Sequence, residues 1–404
     1  MQWNAWIDRL DLERLLSQVR PWIPRIRAGL GRFLRGLTES RQRTLCRALE
    51  PFLELPAETQ LFVLMRECPS LHKLGQVLSR DRRLPEGLRL QLQRLESLPP
   101  WTPVTLPPEL GPGTPLAEGS LAVVVAAAGG VAKVLKPRAA ENLAEELEIL
   151  PGIGRSLDLP HEQVFDSVGR LLRSEVRLDR ERDNLARAGR EGLVRVPAVL
   201  PAHGEGFFTM ERIDAMEVTR APRGRFSLAH ELWSGLVAGP LFAPANRLVH
   251  LDPHPGNLRV DERGRLTVLD WSLTLELQPE WREGLTCAAL GWRLGHPGLL
   301  ARGLERLTGR PPEPAWLEPC SSWLEGLDRI SPVPPEFLLW RKSLHTLQQV
   351  SRELAPELVP EAVLAECCWT AMACEAPWRW LDLAYPGPLS QVSNRALQDL
   401  WLRR

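Results

Sequence analysis

Residues 249–257 read Val-His-Leu-Asp-Pro-His-Pro-Gly-Asn, and thirteen residues after Asn257 the apolar run Thr267-Val268-Leu269 ends in Asp270. Between these landmarks lies Asp261-Glu262-Arg263-Gly264, a turn composition. The spacing therefore predicts a hairpin whose two ends carry Asn257 and Asp270 to one place. An Asp-x4-Asn spacing, here Asp252 to Asn257, is that of the catalytic loop of phosphoryl-transfer enzymes. There the Asp accepts or orients the acceptor's hydroxyl proton and the Asn binds Mg²⁺. A carboxylate that closes an apolar strand, as Asp270 does, suits a metal bridging the β- and γ-phosphates. His254, set among prolines, reads equally well as a buried structural histidine.

Upstream, Ala117-x-Gly119-Ser120-x-Ala122-x-Val124 has the register of the glycine-rich nucleotide loop GxGxxGxV, with alanine at the first and third small positions. Small side chains there let backbone N–H groups approach phosphates, although an ordinary Ala/Gly turn has the same look. Two short β-rich runs, 121–125 and 131–135, flank Gly129-Gly130 and predict a second hairpin. Lys133 lies on its second strand, where a kinase-type fold keeps the lysine for the α- and β-phosphates. Lys136, three residues on, points to the opposite face of such a strand. A phosphate lysine needs a carboxylate from a neighbouring helix; Glu181, in the charged segment SEVRLDRERDNLARAG, is the first candidate and Glu175 the second.

The rest of the 404-residue chain, 44% hydrophobic, allows two or three domains with real cores. Residues 1 to about 98 show helical periodicity, broken at Pro21 and Pro24. Residues 1–45 carry nine arginines against four acids, with Trp3, Trp6, Trp22, Ile26 and Phe33 interleaved. That pattern reads either as a helical face packed on the protein or as a basic amphipathic surface making weak, reversible contact with anionic lipid. Leu98–Pro103 reads as a proline-rich linker. A charged helix is expected from about Arg170 to Arg190, a strand over Gly206–Met210, and helices beyond Ala215.

Basic and acidic residues both total 50, so no global field points to nucleic acid. The longest nearly uncharged stretch, Leu121–Ala132, is too short to span a bilayer, and no transmembrane segment is expected. The start of the chain does not read as a secretory signal. Seven scattered cysteines without a CxxC pair suit a reducing compartment, and neither zinc nor a disulfide framework is expected. Of the 50 basic residues only four are lysines, Lys73, Lys133, Lys136 and Lys342. Where lysine is this scarce, a position that keeps it can be one that needs a compact point charge instead of a planar fork.

HLDPHPGN with LTVLDW closely resembles the catalytic and metal motifs of the UbiB/AarF atypical kinases, and AEGSLAVV (117–124) resembles their alanine-rich loop. Lys73-Leu74-Gly75-Gln76 with the following VLSRDRRLPEGLRLQLQRLESLPP resembles the signature of that family's helical N-terminal extension. Glu175, Glu181 and Asn184 match its E-x-D-x3-E-x2-N pattern, and Val333–Pro356 looks like its C-lobe helix. The resemblance implies an α+β, protein-kinase-like bilobal fold with an added N-terminal helical domain and a mostly helical C-lobe. The expected arrangement is a helical extension over 1–100, an N-lobe over 101–214 and a C-lobe over 215–404.

It further implies ATP or ADP with Mg²⁺ as cofactors and a role in isoprenoid-lipid or quinone metabolism, often at a membrane, here cytoplasmic and peripheral at its inner face. By the same resemblance Asp252, Lys133 and Glu181 would be catalytic. Ala117, Gly119, Ser120, Ala122, Lys133, Lys73 and Gln76 would bind nucleotide, and Asn257 and Asp270 would hold the metal. Two departures stand out: Arg177 replaces the aspartate of E-x-D, and Ser272 replaces the glycine that follows the metal aspartate in DFG-type loops, which predicts a less mobile metal loop. They keep open a nucleotide-sensing pseudokinase without turnover. A small-molecule phosphotransferase is the other alternative, because His250-x-Asp252-x-His254-Pro255-x-Asn257 also resembles the loop of aminoglycoside and choline kinases.

Overall fold

Leucines and tryptophans spaced three and four apart in the first hundred residues have one physical outlet, a helical face turned to a shared core. The computed structural model describes residues 3–78, 86–96, 102–127, 129–156, 169, 172–173, 175–243, 246–318, 320, 322–330 and 335–382. In it these residues form α1 (Trp3–Arg9), α2 (Leu12–Leu15), α3 (Ile23–Gly36), α4 (Glu39–Leu49), α5 (Ala57–Glu67), α6 (Pro69–Leu78) and α7 (Glu86–Gln93). Trp3, Trp6, Leu34, Leu45, Leu64 and Leu95 belong to one buried cluster. The side chains of Asp11 and Thr38 accept backbone N–H bonds at the starts of α2 and α4, satisfying donors a helix leaves open.

The aromatic half of the expected lipid-binding surface is corrected here. Trp6 Nε1 donates to Gln60 Oε1 at 2.7 Å and Trp3 Nε1 to Gln42 Oε1 at 2.9 Å, and both rings and Phe33 are core. Some of the charge is also spent internally, because Arg27 pairs with Asp8 and Glu13, and Arg14 with Glu58. The Trp22 side chain and most of the proline-rich linker lie outside the described residues.

Beyond the linker the period falls to two and a single antiparallel sheet forms. It comprises β1 (Pro115–Glu118), β2 (Ala122–Ala127), β3 (Gly130–Leu135), β4 (Val199–Gly204) and β5 (Phe207–Met210), in the order β1-β2-β3-β5-β4. The expected glycine turn has a steric cause: Gly129 has φ +80°, and a Cβ on Gly130 would lie 2.4 Å from the Met210 carbonyl oxygen. Helix α8 (Ala139–Ser156) follows β3 and buries Leu143 and Leu147 with Leu121. Its Glu146, 0% exposed, accepts from the Ser70 N–H at 2.8 Å and the Ser70 hydroxyl at 2.7 Å and pairs with Arg41, joining α8 to the N-terminal helices. The charged segment becomes α9 (Leu178–Glu191), while Val176 and Arg177 are not helical.

By compactness the chain divides into residues 1–181 with 199–212, and residues 182–198 with 213–404. The first unit thus holds both the N-terminal helices and the sheet. The second contains the three-stranded sheet β6 (Met216–Glu217), β8 (Leu258–Val260) and β9 (Leu266–Val268), and the two-stranded ladder of β7 (Leu248–His250) with β10 (Thr274–Glu276). Around these run α10 (Arg225–Trp233), α11 (Gly239–Phe242), α12 (Pro279–Leu294), α13 (Pro297–Thr308), α14 (Trp323–Arg329), α15 (Pro335–Leu354) and α16 (Pro360–Asp382). Helices α12 and α13 approach so closely that a Cβ on Gly303 would lie 2.4 Å from the Ala288 nitrogen.

His72 of α6 makes the first unit acid-sensitive. It is 0% exposed and its Nε2 lies 2.9 Å from the Leu95 carbonyl oxygen, so the ring sits neutral with Nε2–H donating. Burial, assisted by Lys136 and Lys73, pushes its pKa from 6.5 down to about 4. The unfolded chain takes up a proton below its own value of 6.5 and the folded chain does not until about 4. Stability therefore falls as pH drops through that window, by roughly 3 kcal/mol at its foot. His72→Gln keeps an N–H donor and cannot titrate, so urea unfolding of this variant is expected to lose most of that acid slope. An unchanged slope would refute the assignment.

Candidate functional site

In the first unit, Ala117 and Glu118 end β1, Gly119 and Ser120 form the connection, and Ala122 opens β2. The Gly119 N–H donates to the Ala122 carbonyl at 2.8 Å. Nothing in the fold requires glycine at 119: its φ is not positive, and an added Cβ would meet only the Ala122 oxygen at 3.6 Å. The bare, exposed backbone is therefore left for something else to approach.

Lys133 pairs across the sheet with Val124 on one side and Phe208 on the other, which fixes its Nζ over the sheet face. That Nζ donates to Glu181 Oε1 at 2.6 Å, and the two side chains are 13% and 3% exposed. Glu181 stands in the first turn of α9, where the helix dipole favours a carboxylate. The second candidate, Glu175, has a different partner, Lys73 of α6 at 3.1 Å. Lys136 turns the other way to Glu118 at 2.7 Å; Glu118 also accepts from the Thr102 N–H and hydroxyl at 2.8 and 2.7 Å. Gln76 lies on α6, and its side chain is outside the described residues.

In the second unit the apolar strand β7 delivers His250, Leu251 and Asp252. His250 is buried and organises the loop: its Nδ1 accepts from the Asp252 N–H at 3.2 Å, and Nε2 faces the carbonyl oxygens of Leu269 and Asp270 at 3.0 and 2.8 Å. Burial lowers its pKa, so the neutral ring keeps one donor and one acceptor nitrogen. Trp271 packs edge-on against it at 5.1 Å. Asn257 closes the 3₁₀ turn Pro255–Asn257, and its amide nitrogen donates to the Asp252 carbonyl at 3.0 Å.

The β8–β9 register pairs Leu258 with Val268, and the Leu269 N–H donates to the Asn257 carbonyl at 2.8 Å. Asn257 and Asp270 thus flank the same end of one hairpin, whose turn is tied by the Asp261 carboxylate accepting from the Arg263 and Arg265 N–H groups. Asp270 adopts the left-handed region with φ +53°, a conformation that costs free energy for a non-glycine residue. Ser272 holds it there: its hydroxyl and N–H donate to Asp270 Oδ1 at 2.5 and 3.2 Å.

Four features escaped the sequence reading. Lys342 of α15 places Nζ 3.1 Å from Asp252 Oδ1; lysine scarcity had marked it without a role. The hydroxyl of its neighbour Ser343 donates to the His250 carbonyl at 3.0 Å. Asn184 donates to the Trp271 carbonyl and the Thr274 hydroxyl at 3.1 and 3.0 Å, so the family-pattern asparagine braces the loop that carries Asp270. His250, quoted only as part of a motif, is the residue through which Asp252 and Asp270 share an anchor. All four lysines meet carboxylates that are 11% exposed or less. Arg177, by contrast, is an exposed residue whose guanidinium goes to Asp179 at 2.7 Å.

The donor set can be tested against Mg²⁺. Asn257 spends its amide nitrogen on Asp252, which leaves the amide oxygen as the ligating type of atom, and Asp270 adds a carboxylate. Among the described residues no group of three His, Cys, Asp or Glu forms a metal cage. One carboxylate and one amide oxygen fit a hard cation that keeps waters and arrives with phosphates; they do not fit a dedicated protein-only site.

Residues 113–291 match the family model of the ABC1 atypical kinase-like domain. The chain carries an ABC1 atypical kinase-like domain. This is the domain of the UbiB/AarF family, and the fold is α+β and kinase-like. The matched range contains Lys133, Glu181, Asp252, Asn257 and Asp270, and it leaves Lys73, Gln76 and Lys342 outside. Among solved structures the chain is similar to Rv3197 of Mycobacterium tuberculosis, solved with erythromycin, at 17% identity over 81% of this chain and 87% of that one, with a TM-score of 0.46. It is also similar to Rio2 kinase of Chaetomium thermophilum, solved as an ADP/Mg²⁺-phosphoaspartate complex, at 15% identity over 83% and 98% of the two chains, with a TM-score of 0.26. No curated protein matches the chain.

Proposed function

We propose that this chain binds ATP or ADP with Mg²⁺ and acts as a UbiB-type kinase or ATPase, supporting isoprenoid-lipid or quinone metabolism as a cytoplasmic protein peripheral to a membrane. The observation that carries the reading is the 2.6 Å pair of Lys133 with Glu181 inside an ABC1 domain. Burying an ion pair is costly, and a chain that otherwise uses arginine keeps a lysine here, which favours a point charge for phosphate oxygens. In this reading Lys133 holds the α- and β-phosphates and Gly119 and Ser120 offer backbone N–H groups to them. Lys73 and Gln76 belong to the nucleotide side of the extension. Asp252 orients the acceptor and takes its proton, while Asn257 and Asp270 hold Mg²⁺, which when bound neutralises charge on the β- and γ-phosphates. Membrane contact rests on the arginines of residues 1–45, since no helix among the described residues is long and apolar enough to cross a membrane.

One observation favours a second reading, nucleotide sensing without turnover: the Ser272 hydroxyl sits 2.5 Å from the carboxylate oxygen of Asp270. ADP release by the full chain from Mg-ATP, with and without anionic phospholipid vesicles and with a chelator, decides between them. Turnover that chelation abolishes and vesicles raise is the expected result. Tight Mg-ATP binding without ADP release supports the sensor, and absence of both binding and turnover overturns the proposal.

A further inference from the structure

The first unit contains a cavity of about 290 Å³, of whose wall the nucleotide reading uses only Ser120. Its wall combines Arg41 of α4, Arg66 and Glu67 of α5, Glu118 and Ser120 of the β1–β2 region, and Lys136 and Arg138 between β3 and α8. Lys133 is not part of that wall; it and Lys136 take different carboxylate partners, Glu181 and Glu118. We infer that this cavity is a binding site for a phosphate group, carried by a soluble phosphate or diphosphate ester or by a lipid headgroup.

Hydrogen-bonding capacity favours an anion. Each of the four cationic side chains has a carboxylate partner, Arg41 taking Glu146 and Arg138 taking Glu141 from outside the wall, and the wall's own two carboxylates are engaged as well. Glu118 takes Lys136 and both donors of Thr102, and Glu67 takes the Arg66 Nε and Nη2 at 3.3 and 2.8 Å. Donors are left over. Arg41 is 8% exposed, yet its Nε has no hydrogen-bond partner among the described residues. Arg138 gives Glu141 its Nε–H at 2.8 Å, the one hydrogen bond of its guanidinium among the described residues. The 18-residue helix α8 begins in this wall, so its positive dipole end adds to the field. The volume lies at the lower limit of small-molecule sites, which suits a phosphate with a short organic portion better than a whole nucleotide. Ser120 is common to this wall and to the nucleotide loop, so an occupant touches the segment that would approach ATP.

Arg138 supplies a variant that keeps the fold. Its φ of +59° is a backbone region that glycine adopts freely, so Arg138→Gly removes the charge while relieving the strain. Binding of inorganic phosphate and inorganic diphosphate is measured calorimetrically on the full chain carrying Lys133→Met with Glu181→Leu, so that Lys133 contributes nothing and no buried carboxylate is stranded, with chloride at equal ionic strength as reference. Co-sedimentation with phosphatidylcholine vesicles, with and without phosphatidic acid, is the second arm. The expected result is phosphate-specific binding in at least one arm that weakens about tenfold in Arg138→Gly and in Arg66→Gln, with thermal midpoints no lower than the parent for Arg138→Gly. Binding in the first arm identifies a soluble ligand, and binding confined to phosphatidic acid vesicles identifies a headgroup. Binding no better than chloride in the first arm and no phosphatidic acid dependence in the second, or binding that both variants leave unchanged, overturns the site.

Discussion

Lys133→Met is expected to lower ADP release from Mg-ATP at least ~100-fold, the loss typical of removing one fixed charge from a developing phosphate. The same change strands Glu181, 3% exposed, without the cation 2.6 Å away, and breaking a buried pair from one side costs about 3–5 kcal/mol. Loss of activity in the single variant therefore mixes chemistry with stability. Lys133→Met combined with Glu181→Leu separates them, because an apolar pair of similar volume restores packing without restoring the charge. The double variant is expected to unfold near the parental temperature and to stay inactive. Parental turnover in that folded double variant would remove Lys133 from the phosphate site. Glu181→Gln alone is expected to cost about tenfold, since Lys133 keeps its charge and loses only its anchor.

Local chemistry made much of this legible in advance. The Gly129-Gly130 turn, the strand bearing Lys133 and the Asp261–Gly264 turn are each fixed by residues within ten positions of one another, and each forms as the sequence predicts. Glu181 could be named because a phosphate lysine requires a carboxylate from a neighbouring helix, although α9 also carries Asp179, Asp183 and Glu191. What stayed hidden depends on chain distance. β4 escaped notice because its pattern is poor, with Pro201, His203 and Gly204 inside it, and it is held by pairing with β5. The aromatic residues of 1–45 allowed either a packed face or a lipid-facing surface, because periodicity gives a helix a face without saying what meets it; Gln42 and Gln60 supplied the answer. Arg177 looked like damage to a motif, yet it stands exposed with Asp179. Ser272 carries more weight than Arg177 because its hydroxyl reaches the candidate metal ligand.

Lys342 marks the limit of local reading, since its partner Asp252 lies 90 positions away and outside any motif that includes it. The contact predicts a measurable coupling. A lysine 3.1 Å from the carboxylate, itself 30% exposed, balances the charge of Asp252 and aims it. Asp252→Asn is expected to reduce kcat ~100-fold or more, in the range of a lost general base. Lys342→Met is expected to cost roughly tenfold in kcat with KM for ATP nearly unchanged, and Lys342→Arg to recover part of the loss, because a guanidinium keeps the charge but not the point geometry. In the double variant Lys342→Met with Asp252→Asn the losses should not multiply, because a lysine that acts through Asp252 has nothing left to act on. Full multiplication would mean that Lys342 works on the reaction by another route, with its ion pair to Asp252 serving only the fold.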